Sequence, residues 1–253
     1  MTYSIVARDP ATGHLGIAVA SRFFAVGALV PHIHPDAAVA TQAFINPLWG
    51  VEGSRRLQEG ESAQQVLDDF VARDAGQAQR QAHMIDRANR VAAHTGADCI
   101  DWAGHRGADG VSVAGNMLTG PEVVEDTLAC YLDNPDLPFE QRLLAAMLAG
   151  EAAGGDKRGR QSAALRIHHA QDYPWLDLRI DDHADPLAEL SRLMDVAGER
   201  YLLFAGEFAT PENFSGCPDR TELDRAIAAR EAEMQANGSI SRSFASPPQP
   251  NRG

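Results

Sequence analysis

Leu15-Gly16-Ile17-Ala18-Val19-Ala20 constrains the fold more than any other stretch: six residues without a polar side chain, reached from the β-prone run Tyr3 to Ala7 through the turn chemistry of Asp9-Pro10-Ala11-Thr12-Gly13. A strand that keeps one face in water alternates apolar and polar residues, so an uninterrupted apolar strand suits burial on both faces. The chain therefore opens with a hairpin inside a layered structure, and that hairpin holds the amino terminus rigidly. At 253 residues and 44% hydrophobic content the core can be large. One domain of about 200 residues plus an extension fits better than two domains.

The rigid terminus carries chemistry. Removal of Met1 ahead of the small Thr2 places a free α-amine and a hydroxyl on one residue, a nucleophile with its own base. A backbone amine titrates near 7.7–8.0 against about 10.4 for lysine, so a substantial share of it is neutral at physiological pH.

Beyond the hairpin, Ala37 to Phe44 reads as a strand that Asn46-Pro47 breaks. A helix is expected around Gly50 to Glu59, and a second is opened by Ser62 with Gln65 as its capping-box partner and runs to about Ala72. Gln81 to Asp86, Arg90 to Thr95 and Gly110 to Asn116 are strands. Pro121 starts a helix with Val124, Leu128 and Leu132 on one stripe, and Phe139 to Glu151 forms the next, ended by Gly154-Gly155. Ser162 to His168 and Leu176 to Ile180 read as a strand pair, and Pro186 to Val196 and Thr221 to Ala236 as helices. Strands, then helices, then strands indicate an antiparallel α+β protein and not alternating βαβ units. Domain limits fall at 1–198, with a helical extension over 199–238 and a polar, Pro-rich, disordered tail over 239–253.

A net charge of −13 and a pI near 5.0 exclude the basic surface that a nucleic-acid binder needs. No 18-residue apolar run and no signal peptide are present, which points to a cytoplasmic protein that does not engage membranes. Cys99, Cys130 and Cys217 are odd in number and widely spaced, so neither a disulfide framework nor a zinc knuckle is expected. His32-x-His34, His168-His169 and Asp181-Asp182-His183 could supply metal ligands, but none has the i, i+4 helical spacing of a zinc hydrolase. No metal and no other cofactor is expected. Asp181 and Asp182 are expected to pair with Arg158, Arg160 or Arg179 in a buried network.

The opening Thr-Tyr-Ser-Ile-Val-Ala-Arg-Asp-Pro, the block from Leu15 to Ala28, His94-Thr95-Gly96, Val113 to Leu118, Ala152 to Leu165 and Asp177 to His183 together resemble the DUF1028 family, in the family's order across residues 2–195. The resemblance implies the N-terminal-nucleophile (Ntn) hydrolase superfamily and its four-layer αββα sandwich of two antiparallel sheets. It implies an amidohydrolase that cleaves a C–N bond in a small carboxylate-bearing substrate, with Thr2 as nucleophile; a non-catalytic binding protein on the same scaffold is the alternative. Arg22, directly after the second strand, could hold the amine neutral, although superfamily members such as the proteasome use a lysine on a later strand and this sequence has none at a comparable place. Asn116, and more weakly Gln42, have the amide donor that an oxyanion hole needs. The donor-rich loop Asp156-Lys157-Arg158-Gly159-Arg160-Gln161-Ser162 suits either a substrate carboxylate, with Asp156, Lys157, Arg158, Gln161 and Ser162 in contact, or a subunit contact. It lacks P-loop spacing. A homodimer or higher homo-oligomer is expected.

Overall fold

A computed structural model gives the structure and describes residues 2–245. The hairpin forms as its sequence requires, with β1 (Thr2–Arg8) antiparallel to β2 (Leu15–Ser21) and Tyr3 opposite Ala20. It lies inside a six-stranded sheet. β8 (Val111–Asn116) flanks β1 and β7 (Gly104–Ala108) closes that edge, while β9 (Ser162–His168) and β10 (Leu176–Ile180) extend beyond β2. A four-stranded sheet holds β3 (Pro31–His34), β4 (Ala37–Ala43), β5 (Arg80–Ile85) and β6 (Val91–Thr95) in that order. Every pairing in both sheets is antiparallel.

The strand period of two sorts side chains between two environments. Val6, Leu15, Ile17 and Val19 of the larger sheet pack directly against Ile33, Ala38, Ala40 and Ile85 of the smaller one. On the reverse side of β4 and β5, Ala37, Val39, Ala82 and Met84 pack against Trp49 and Leu57 of α1 (Pro47–Gln58) and Val66 and Phe70 of α2 (Ala63–Arg73). The outer face of the larger sheet is covered by α3 (Glu122–Asp133) and α4 (Phe139–Ala152), where the Tyr3 hydroxyl donates to the Met147 carbonyl at 2.9 Å. Both faces of β2 are therefore dry, as its composition demands. Each fully buried Leu, Ile or Val contributes roughly 1.5–3 kcal/mol of transfer free energy. At Gly16 an added Cβ would lie 2.5 Å from Leu143 Cδ1 on α4, so a larger residue there would displace that side chain.

The Ser62 and Gln65 capping box is present in full. Three local expectations need correction. α1 begins at Pro47 and not near Gly50, because Asn46 Oδ1 accepts the Leu48 N–H and caps the helix three residues earlier. The buried stripe of α3 is Val123, Val124, Thr127 and Tyr131, and Leu132 is exposed. β3 and β7, which the sequence pattern does not mark, are strands.

The chain divides into two compact units, Met1–Leu190 and Ser191–Gly253. α5 (Pro186–Val196) spans the division and buries Leu187 and Leu190. The second unit continues through a π-helical turn at Ala197–Tyr201 into α6 (Leu202–Ala205), followed later by α7 (Thr221–Ala236), which buries Leu223 and Ile227. Within it Ser239–Ala245 carries no helix or strand and is tied down by Glu199, which accepts from Ser241 Oγ at 2.7 Å and Arg242 N at 2.9 Å. The rest of the expected disordered tail, 246–253, lies outside the described residues.

Candidate active site

Four neighbouring strands end at one level and set four polar side chains in a row. Ser162 opens β9 opposite Ser21 at the end of β2, and Thr2 opens β1 opposite Asn116 at the end of β8. Thr2 is 5% exposed and its Oγ1 lies 3.1 Å from Ser21 Oγ. Thr2, Ser4 and Val6 share the face of β1 that looks toward the smaller sheet, so the row stands at the mouth of the intersheet space. The layer between the sheets is apolar at the Val6 end and polar at the Thr2 end.

The polar end is a closed hydrogen-bond network. Gln81 Oε1 on β5 accepts from Gln42 Nε2 at 2.8 Å and from Asn116 Nδ2 at 2.9 Å, and its Nε2 donates to the Gly115 carbonyl at 2.8 Å and Thr95 Oγ1 at 2.9 Å. Ser4 Oγ donates to Gln42 Oε1 at 2.6 Å. Since that uses the one hydroxyl proton, the His83 Nε2 that meets Ser4 Oγ at 2.8 Å is the donor, and His83 Nδ1 accepts from Ser112 Oγ at 3.0 Å. His83 is thus a neutral imidazole. Burial, helped by the nearby His105, pushes it down to about 3. The same amides reach the terminus: Gln42 Nε2 and Asn116 Nδ2 each lie 3.5 Å from the Thr2 carbonyl oxygen.

The Asn116 and Gln42 amides hold Gln81 and the Thr2 carbonyl, which makes them positioning groups for the strand that carries Thr2. Arg22 is exposed, and its Nη1 donates to the Arg158 carbonyl of the neighbouring loop at 3.4 Å. Gln81 and His83 were not singled out from the sequence. Their signal is polar residues two apart in the strand Gln81-Ala82-His83-Met84-Ile85, on the face that should be apolar.

The loop 156–162 forms a clamp across this end of the sheet. Asp156 is buried; one carboxylate oxygen accepts the Arg22 N–H at 2.7 Å and the other the Arg158 N–H at 2.8 Å. Asp156 also bridges to Leu118, and the Lys157 N–H reaches the Met117 carbonyl at 3.4 Å. β2 and β8, the two neighbours of β1, are thereby tied together past Thr2. Ser162 is buried and structural: its Oγ donates to the Phe23 carbonyl at 2.5 Å and accepts the Val26 N–H at 3.2 Å. Gln161 Nε2 donates to Asp182 Oδ1 at 3.1 Å. Of the expected carboxylate contacts, only Lys157 and Arg158 present exposed cationic side chains, and Arg158 already meets Asp156.

The expected buried network of Asp181 and Asp182 is a surface feature. Arg179 and Asp181 pair at 2.9 Å with side chains 34% and 44% exposed, Arg158 pairs with Asp156, and Arg160 pairs with Glu151 and Asp185. The exposed pairs Arg179–Asp181 and Arg160–Asp185 contribute about 0–1 kcal/mol each. Among the described residues no group of three or more His, Cys, Asp or Glu side chains is placed to hold a metal ion. All three cysteines are free and partly buried.

Beside Asn116 a pocket of about 420 Å³ opens between the sheet ends, lined by Ala43, Phe44, Gln79, Asp98, Cys99, Ile100, Asn116 and Met117. Ala43 (φ 68°) and Met117 (φ 51°) both hold left-handed backbone, a strained conformation for non-glycine residues that here places the two sheet ends on either side of the opening. Burial raises the Cys99 thiol, which keeps it protonated at neutral pH.

The comparisons agree with the family seen in the sequence blocks. Residues 2–190 match the model of a family of unknown function, DUF1028, and the chain belongs to that family. A crystal structure of a protein from Silicibacter pomeroyi, assigned to the same family model, is similar with a TM-score of 0.78 and 32% identity, over 85% of this chain and 98% of that one. No curated protein matches. No helix among the described residues is long and apolar enough to cross a membrane.

Proposed function

We propose that this protein is an N-terminal-nucleophile amidohydrolase on a four-layer αββα scaffold of the Ntn type, acting on a small carboxylate-bearing amide in the cytoplasm, with Thr2 as nucleophile after loss of Met1. One observation carries the reading: Thr2 Oγ1 stands at the start of a central strand, nearly buried and 3.1 Å from Ser21 Oγ, and Thr2 is the register partner of Asn116, which lines the pocket. In this mechanism the α-amine of Thr2 takes the hydroxyl proton as Oγ1 attacks the amide carbon. The C–N bond breaks, the departing amine leaves with that proton, and water then hydrolyses the Thr2 ester to release the acid. The Gln81, Gln42 and Asn116 amides fix β1 so that the attack geometry is held in advance.

A second reading has its own support. Asn116 Nδ2 and Arg22 are turned to partners other than a substrate oxygen or the amine, which favours a ligand-binding protein that keeps the scaffold without the reaction. N-terminal sequencing and turnover assays of wild type and Thr2→Ala separate the two. The hydrolase reading expects Thr2 as the first residue and loss of all turnover in the variant; a retained Met1 in active protein, or an unimpaired Thr2→Ala, would overturn it.

A further inference from the structure

The chain carries 22 basic residues, and Lys157 is the only lysine among them. It is bonded to the margin of the pocket that Asn116 lines: its backbone N–H reaches the carbonyl of Met117, and its Nζ donates to the carbonyl of Asp101 at 2.6 Å, next to Ile100. Met117 and Ile100 are both pocket walls. Among the described residues Lys157 has no carboxylate partner, whereas Arg158 and Arg160 in the same loop are paired to acids. A neutral carbonyl is a weak partner for an ammonium, and a ligand carboxylate displaces it readily because the bond then becomes charge-assisted on both sides.

The pocket itself asks for an apolar group. Phe44 and Ile100 are 67% and 54% exposed, and with Ala43 and Met117 they form a water-facing apolar lining at the intersheet mouth. Large apolar side chains in a concave site next to a reactive group bury the ligand's apolar part. Asp98 is the one acid on the wall, and it sets a charge limit by repelling a second carboxylate.

From this we infer that the site takes N-acyl amino acids with one carboxylate: the carboxylate held by Lys157, an apolar branched or aromatic acyl group seated on Phe44, Ile100 and Met117, and the amide presented to Thr2. The inference rests on the amidohydrolase reading for its reaction, in which water adds across the C–N bond to give a carboxylic acid and a free amino acid, but its recognition half stands separately.

The test uses N-(3-methylbutanoyl)glycine and its uncharged analogue N-(3-methylbutanoyl)glycinamide, titrated calorimetrically into the full-length Thr2→Ala protein, in which turnover cannot interfere. The acid binds about tenfold or more tightly than the glycinamide, as expected for one charge-assisted hydrogen bond. Lys157→Met removes that preference without changing glycinamide binding, and Lys157→Arg retains it. N-acetylglycine binds at least about tenfold more weakly, having lost three apolar carbons. The aspartate conjugate of the same acyl group is also weaker. As a second readout, acetylation of the single lysine, followed by mass, slows in the presence of the acid and not of the glycinamide. Equal binding of acid and glycinamide, or a preference unchanged in Lys157→Met, overturns the inference even if Thr2 proves reactive. Selective binding of the acid with an unreactive Thr2 upholds the recognition and defeats the hydrolase reading instead.

Discussion

Replacement of Gln81 by leucine removes the hub of the intersheet network while keeping the side-chain volume. Gln81 is fully buried; its Oε1 is the acceptor for both Gln42 Nε2 and Asn116 Nδ2, and its Nε2 serves the Gly115 carbonyl and Thr95. In Gln81→Leu the Gln42 and Asn116 amides each lose their shortest acceptor, at roughly 1–3 kcal/mol each, and keep only the longer contacts to the Ala114 and Thr2 carbonyls. The apolar side chain recovers about 2 kcal/mol of transfer energy. The net destabilisation is about 3 kcal/mol once the lost donations to Gly115 and Thr95 are included. Urea unfolding measures it directly, as a fall in midpoint of about 1–3 M at unchanged slope. Because Gln42 and Asn116 also face the Thr2 carbonyl, the proposed hydrolase reading expects the variant to lose turnover at temperatures where it is still folded. A destabilisation under about 1 kcal/mol would mean that water already satisfies these groups, and the claim that a sealed network fixes the terminus would fail.

Other outcomes follow from the same geometry. His83 is held near 3 in the folded state and returns to its ordinary value near 6.5 when unfolded, so the unfolded chain binds the extra proton. His83 therefore adds a loss of stability as pH falls from about 6.5 toward 3, at up to about 1.4 kcal/mol per unit, and His83→Gln shows a shallower acid limb in unfolding curves taken at successive pH values. Asp156→Ala leaves the Arg22 and Arg158 N–H groups without their acceptor and unties β2 from β8; thermal unfolding should show a loss of about 2 kcal/mol, and hydrogen exchange should quicken at Arg22 before it does in the core of β2. At Gly150, where α4 crosses α3, an added Cβ would lie 2.2 Å from Thr127 Oγ1 and 3.0 Å from the Tyr3 ring. Gly150→Ala should lower stability by about 1–3 kcal/mol in the same assay.

Much of the architecture could be read from residue order. The doubly covered β2, the Ser62 cap, and the strand pair of β9 and β10 announce themselves through local chemistry, because an uninterrupted apolar run or a capping box has few other uses. β7 was not legible: Gly104-His105-Arg106-Gly107-Ala108 has no β-branched residue and lies at a sheet edge, where the backbone ladder with β8 holds it in place of side-chain burial. β3 was masked by Pro31, tolerated at the first position of an edge strand. At the site, Thr2 and Asn116 were visible as residue types, but their being register partners depends on β1 and β8, more than a hundred residues apart, pairing directly. The role of Asp156 was hidden for the same reason. It reads as one more charge in a basic loop, and only the fold shows its carboxylate buried against the backbone of Arg22.

Peptide mapping of the purified protein after exposure to a β-lactone tests the central claim most directly. The expected result is a chain that begins at Thr2 and a single acyl adduct on that residue, with the protonated Cys99 of the pocket unmodified. A chain that still begins at Met1, or an adduct on Cys99 with Thr2 untouched, would contradict it.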